Sequence, residues 1–114
     1  MMAGRSKYGN KLVVIGGRKF DSRAEAMRYL ELVHQERAGE ISELRCQVPF
    51  VLAPSVLVRG ASRKAPALRY FADFVFVRDG QTVIEDVKGA ITEAYKIKRH
   101  LMALNGHHIT EIKA

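Results

Sequence analysis

The sequence predicts an α/β fold in which a helix, three strands, a second helix and a final strand surround one mixed sheet. Three observations predict it. A capping pattern at Ser22 opens a helical stretch, and two apolar, β-prone runs flank the turn Asp79-Gly80. A second capped helix then separates the later run from a last short strand.

Residues 1–11 mix Arg5, Lys7 and Lys11 with Gly, Ser and Asn, the composition of a basic N-terminal arm that either touches phosphates or simply frays. Residues 12–114 are expected to form a single domain, since 114 residues suffice for one and hardly for two. Residues 12–20 read as a small hairpin, with Gly16-Gly17 supplying the positive φ angles of its turn. Ser22 followed by Glu25 is a capping box. Ala26, Met27, Leu30 and Val33 give a helical stripe, leaving Arg28, Glu31, Gln35 and Arg37 for solvent, and Gly39 is the expected stop.

After a link from Ile41 to Arg45, the run from Gln47 to Val58 is apolar and β-prone. Pro49 and Pro54 remove ladder donors, so an edge or bent strand is expected. Residues 59–66 form a basic loop. Leu68 to Val77 and Thr82 to Lys88 then make an antiparallel hairpin about Asp79-Gly80. Thr92 caps the second helix, with Ala94, Ile97, Leu101 and Leu104 on one face and Asn105-Gly106 as its end. His107 to Ile112 is the last strand, parallel to the one ending at Lys88, because a helix crossover joins the two.

No apolar run approaches the ~20 residues that a membrane span requires, and no apolar segment follows the basic N-terminus as in a signal peptide. Cys46 is the only cysteine, which excludes an internal disulfide and fits a cytoplasmic setting. The net charge of +7 points to a polyanionic partner, most often nucleic acid, with a plain solvated basic surface as the alternative.

Acidic residues inside the hairpin are the candidates for chemistry. Asp73 interrupts an apolar strand, and Asp86 follows on the next, thirteen positions later. Lys88 shares a face with Asp86 because strand side chains alternate. Burying such charges is costly unless they are paired or bind a metal. Two carboxylates with a phosphate suit Mg²⁺, which prefers oxygen ligands and activates bound water. An Asp86–Lys88 salt bridge, or solvent exposure at a strand end, is the alternative. Glu25 either closes its capping box or adds a third carboxylate. Arg59, Arg63, Lys64 and Arg69, and then Lys96, Lys98 and Arg99, flank this centre as candidate phosphate contacts or as solvated faces. His100, His107 and His108 lack zinc spacing, Cys46 has no histidine pattern beside it, and no phosphate-cradling loop is present, so no small-molecule cofactor is expected.

Asp73 followed by Asp86-Val87-Lys88 resembles the PD-(D/E)XK motif of the restriction-endonuclease-like nucleases, and the element order resembles their core. The wider pattern FDSRAEAMRYLEL, Gln47-Val48-Pro49, YFADF and EDVKG resembles small phage-encoded proteins grouped with endonuclease I-type Holliday junction resolvases. It is also similar to the catalytic domain of a transposon end-cleaving endonuclease subunit. Ala72 stands where the motif usually has proline. The resemblance implies a restriction-endonuclease-like core and a Mg²⁺- or Mn²⁺-dependent DNA endonuclease acting on branched DNA as a homodimer in a bacterial cell or phage-infected host. It gives Asp73, Asp86, the Val87 carbonyl and Glu25 to the metal, Lys88 to the attacking water, and Gln47 to the site or the DNA. A linear-duplex or nicking endonuclease, and a non-catalytic DNA-binding protein on the same fold, are the alternatives.

Overall fold

A computed structural model describes residues 12–114, so the basic arm expected over 1–11 lies outside the described residues. Elements run β1 (Val13–Ile15), β2 (Arg18–Phe20), α1 (Arg23–Arg37), β3 (Ser42–Ala53), β4 (Leu68–Arg78), β5 (Gln81–Lys88), α2 (Glu93–Leu104) and β6 (Ile109–Lys113). The protein is mixed α/β. Its main sheet has the order β3-β4-β5-β6, antiparallel except for the parallel β5/β6 pair. A separate β1–β2 hairpin turns on Gly16 and Gly17 at φ 55 and 82. Asp79 and Gly80, at φ 53 and 77, close the β4–β5 hairpin with the primed turn that matches strand twist.

Local signals set the helix ends. Ser22 Oγ accepts the Glu25 N–H at 3.1 Å, and Thr92 Oγ1 accepts the Tyr95 N–H at 3.1 Å. At the end of α1, the N–H groups of Gly39 and Glu40 return to the carbonyls of Glu36 and Gln35, the Schellman pattern that a left-handed glycine permits. β3 begins earlier than the sequence predicts, because Ser42 and Arg45 already pair with Val77 and Val75. It is an edge strand, which is why Pro49 is tolerated within it.

The sheet separates two apolar clusters. On one face Tyr70, Ala72, Val75, Ile84 and Ile109 pack with Tyr95 and Met102 of α2. On the other, Phe74 and Phe76 pack with Ala26 and Leu32 of α1 and with Phe20 of the hairpin. Both helices are rotated from their predicted stripes. Met27 and Leu30 are exposed at 55% and 45%, while Leu32 is fully buried. Tyr29 sets this rotation by lying between Phe20, at 4.9 Å, and Phe74, at 6.3 Å, between ring centroids. Arg28, predicted to face solvent, turns inward to Glu85. In α2, Ile97 and Leu104 are exposed, and Tyr95 takes the inward face with its hydroxyl donating to Glu111 at 2.6 Å. An amphipathic tyrosine with a partner for its hydroxyl outcompetes a plain aliphatic stripe for that position. No helix among the described residues is long and apolar enough to cross a membrane.

Candidate functional site

The β4–β5 ladder runs from the turn only as far as Phe74 and Glu85. Beyond that pair, Asp73 and Asp86 face each other with no ladder pairing. The side chains of β4 also change faces here: Tyr70 and Ala72 belong to the α2 cluster, Phe74 and Phe76 to the α1 cluster. Asp73 stands at the crossing, and its Oδ2 accepts the Val87 N–H at 2.8 Å in place of a ladder bond. The partner strand is irregular at the same level. β3 pairs Cys46 with Phe74 and Val48 with Ala72, and the intervening Gln47 has φ 52. A left-handed backbone at a non-glycine residue costs about 1–3 kcal/mol and recurs where a side chain must be aimed at a functional centre.

Gln47 is aimed between two acids. Its Nε2 donates to Glu25 Oε2 and to Asp73 Oδ1, each at 3.1 Å. Glu25 is buried in the first turn of α1, so its backbone closes half of the capping box while its carboxylate turns to Gln47. Burial, and then the nearby Asp21 charge, push the Glu25 carboxyl above its ordinary value. Asp73 is pushed up more strongly, first by burial and then by the adjacent Asp86 carboxylate. Asp86, 4% exposed, accepts the Tyr70 hydroxyl on Oδ2 at 2.5 Å and has Lys88 Nζ at 3.5 Å from the same oxygen. Lys88 Nζ also lies 3.9 Å from the Tyr95 ring centroid. Burial and the bond to Asp86 hold the Tyr70 phenol well above its usual range, so it remains a donor.

One continuous line of contacts therefore links Glu25, Gln47, Asp73, Asp86 and Lys88, with the Val87 N–H turned to Asp73. Oxygen donors of this kind suit a hard divalent cation. Among the described residues, however, no three acids, histidines or cysteines stand ready to hold one ion. Glu25 and Asp73 share the Gln47 amide instead, and Oδ2 of Asp86 faces Tyr70 and Lys88.

The remaining candidates lie further out. Arg59, Arg63, Lys64 and Arg69 are exposed on the β3–β4 connection and the start of β4. Lys96 pairs with Glu93 at 3.1 Å, Lys98 is half-buried, and Arg99 donates to Glu111 at 2.8 Å. The His107 ring packs on Phe50. Tyr70 and Arg28 were not expected near the acids. Tyr70 lies three residues before Asp73, where strand alternation alone puts it on the other face, and only the crossing at Asp73 brings it to Asp86. Arg28 forks onto Glu85, with Nε and Nη2 at 2.8 and 2.6 Å from the two carboxylate oxygens.

No curated protein matches the chain significantly, nor does any solved structure. Residues 5–113 match a family of proteins of unknown function, DUF1064, and the chain belongs to that family.

Proposed function

We propose that the protein is a divalent-metal-dependent DNA endonuclease built on a restriction-endonuclease-like core, hydrolysing phosphodiesters in branched DNA as a homodimer. The observation that carries this reading is the pair Asp73 and Asp86, side by side where their strands stop pairing, with Lys88 beside one and Glu25 joined to the other through Gln47. The net charge of +7 suits a polyanionic substrate. Asp73, Asp86 and Glu25, with the Val87 carbonyl, would hold Mg²⁺ or Mn²⁺. When bound, such an ion polarises a phosphoryl oxygen and lowers the pKa of its water. Lys88 would orient the attacking water and stabilise charge developing on the phosphorus oxygens, leaving a 5′-phosphate and a 3′-hydroxyl as the resemblance implies. Paired cuts across a junction need two sites related by symmetry, hence the homodimer.

Incubation with four-way junction, linear duplex and single-stranded DNA in Mg²⁺ or Mn²⁺ tests this. The junction should be cleaved best, and chelation or Asp86→Ala should abolish cleavage. Failure to cut any substrate, or cutting undiminished in Asp86→Ala, overturns it. Preference for the duplex would support a linear-duplex or nicking enzyme instead.

One observation favours a second reading, a non-catalytic DNA-binding protein on the same fold: no three-acid ligand set is preformed among the described residues. That reading predicts salt-sensitive DNA binding without metal. Calorimetry that finds no Mn²⁺ binding dependent on Asp73 and Asp86 would support it.

A further inference from the structure

The strands that carry Gln47 and Asp73 continue past them, and one face of that ribbon is left uncovered among the described residues. β3 and β4 pair Pro49 with Phe71 and Val51 with Arg69. Side chains alternate along a strand. Phe50, Tyr70 and Ala72 go to the α2 cluster, so their neighbours point the other way. There Pro49, Val51, Arg69 and Phe71 are all exposed, Phe71 at 50% and Val51 at 62%. Phe71, Pro49 and Val51 together make a contiguous apolar patch with Arg69 at its edge, and it is contiguous patches rimmed by polar residues that mark binding sites.

Charge identifies the occupant. Between Glu43 and Asp73 the sequence has no acidic residue and five basic ones, Arg45, Arg59, Arg63, Lys64 and Arg69. Beyond the ribbon, the β3–β4 connection is held by a bridge in which Val56 and Ala65 exchange N–H···O bonds of 3.1 and 2.6 Å, so Arg59, Arg63 and Lys64 are presented on a tied arm. Among the described residues, none of Arg59, Arg63, Lys64 and Arg69 makes an ion pair. A second copy laid on this face would set like charge against like, whereas a phosphodiester strand brings the opposite sign. A bare aromatic beside unpaired arginines is the combination that holds single-stranded nucleic acid, because every base offers a π-face and every linkage a charge. Bases in a duplex keep their faces stacked inside and cannot reach such a ring.

We propose that this ribbon face is a platform for an unpaired nucleobase of the substrate, with Phe71 stacking on the base and Arg69 and the Arg59–Lys64 arm holding the flanking phosphates. It rests on the nucleic-acid reading above and adds a preference for DNA whose strands come apart beside the site. Phe71 precedes Asp73 by two residues, about 7 Å along the strand, so the stacked base would adjoin the phosphate at the acids.

The experiment measures binding in chelator, so that cleavage and metal do not enter. A short single strand carrying 2-aminopurine and the fully paired duplex of the same sequence are titrated with wild type, Phe71→Leu and Phe71→Tyr. The wild type should quench the 2-aminopurine fluorescence. Phe71→Leu should bind the single strand about tenfold more weakly with the quench lost, while duplex binding stays unchanged and Phe71→Tyr restores both signals. Equal binding of the single strand by wild type and Phe71→Leu overturns the platform, and so does an equal loss on both DNAs. If Phe71→Leu instead converts a dimer to a monomer in sedimentation with DNA binding intact, a second copy covers this face and the proposal fails. Failure of the wild type to bind either DNA overturns the nucleic-acid reading itself, and the platform with it.

Discussion

Glu85 and Asp86 are consecutive on β5, both almost fully buried, and the protein treats them in opposite ways. Glu85 points towards α1 and receives both prongs of the Arg28 guanidinium, which satisfies each of its oxygens. Asp86 points towards α2 and has a phenol at 2.5 Å, an amine at 3.5 Å and another carboxylate beside it. A buried acid answered by a matched opposite charge is complete and serves the fold. Where two buried acids adjoin, charge on the pair is disfavoured, as the raised Asp73 carboxyl shows, and such a pair is a candidate for function. Polarity and burial alone do not tell the two apart; their partners do.

One substitution on each side tests this difference. The largest effect is expected on the Glu85 side. Arg28→Ala strands a buried carboxylate and should cost about 3–5 kcal/mol of stability, read by urea unfolding. Asp86→Asn, which relieves repulsion from Asp73, should leave stability equal or higher. Equal large losses for both variants would erase the distinction. Next comes Lys88→Ala. At a temperature where every variant is folded, it should slow cleavage about a hundredfold or more with a smaller loss of melting temperature than Arg28→Ala, because the Tyr70 hydroxyl still bonds Asp86, whereas Arg28→Ala should keep its cleavage rate there.

A smaller effect is expected at Gln47. Gln47→Leu removes two hydrogen bonds to carboxylates and should destabilise the metal-free protein by about 1–3 kcal/mol. Saturating Mn²⁺ should narrow the gap between variant and wild type in thermal melts, because Glu25 and Asp73, if they hold the cation, would no longer depend on the amide. A gap that Mn²⁺ leaves unchanged would count against a cation at that position.

The smallest effect concerns pH. The Asp73 and Glu25 carboxyls are both raised above their ordinary values of 3.8 and 4.5, chiefly by burial. The folded chain then holds protons that the unfolded chain releases. The contribution of these two carboxyls to the stability of the chelated protein should be fully present below the ordinary carboxylate range and be lost as pH rises from there through the raised folded values. Asp73→Asn should flatten that decline, while an unaltered slope would place its origin elsewhere.

Much of the architecture was legible because it rests on short-range chemistry. Ser22 and Thr92 cap their helices through their own side chains, Gly39 and Gly106 adopt the positive φ that ends those helices, and Asp79-Gly80 closes its hairpin. The parallel β5/β6 pair follows from having a helix between the two strands. What misled was the facing of the helices. Met27 and Leu30, or Ile97 and Leu104, make as good an apolar stripe as the residues that are buried. The choice falls to Tyr29 between two phenylalanines and to Tyr95 between Lys88 and Glu111, partners on other elements of the fold.

The same division holds for the candidate site. Residue type and strand alternation by themselves determined that Asp73, Asp86 and Lys88 are charges within apolar strands, and that Asp86 and Lys88 share a face. Tertiary structure decided which acids are already answered. It gave Arg28 to Glu85 and Tyr70 to Asp86, and it set Gln47 between Glu25 and Asp73 through one left-handed residue in an edge strand. Alternation is a property of each strand alone. Partnership across elements depends on how the strands twist apart beyond Phe74 and Glu85 and on how α1 is rotated above them, which only the packed sheet and helices establish.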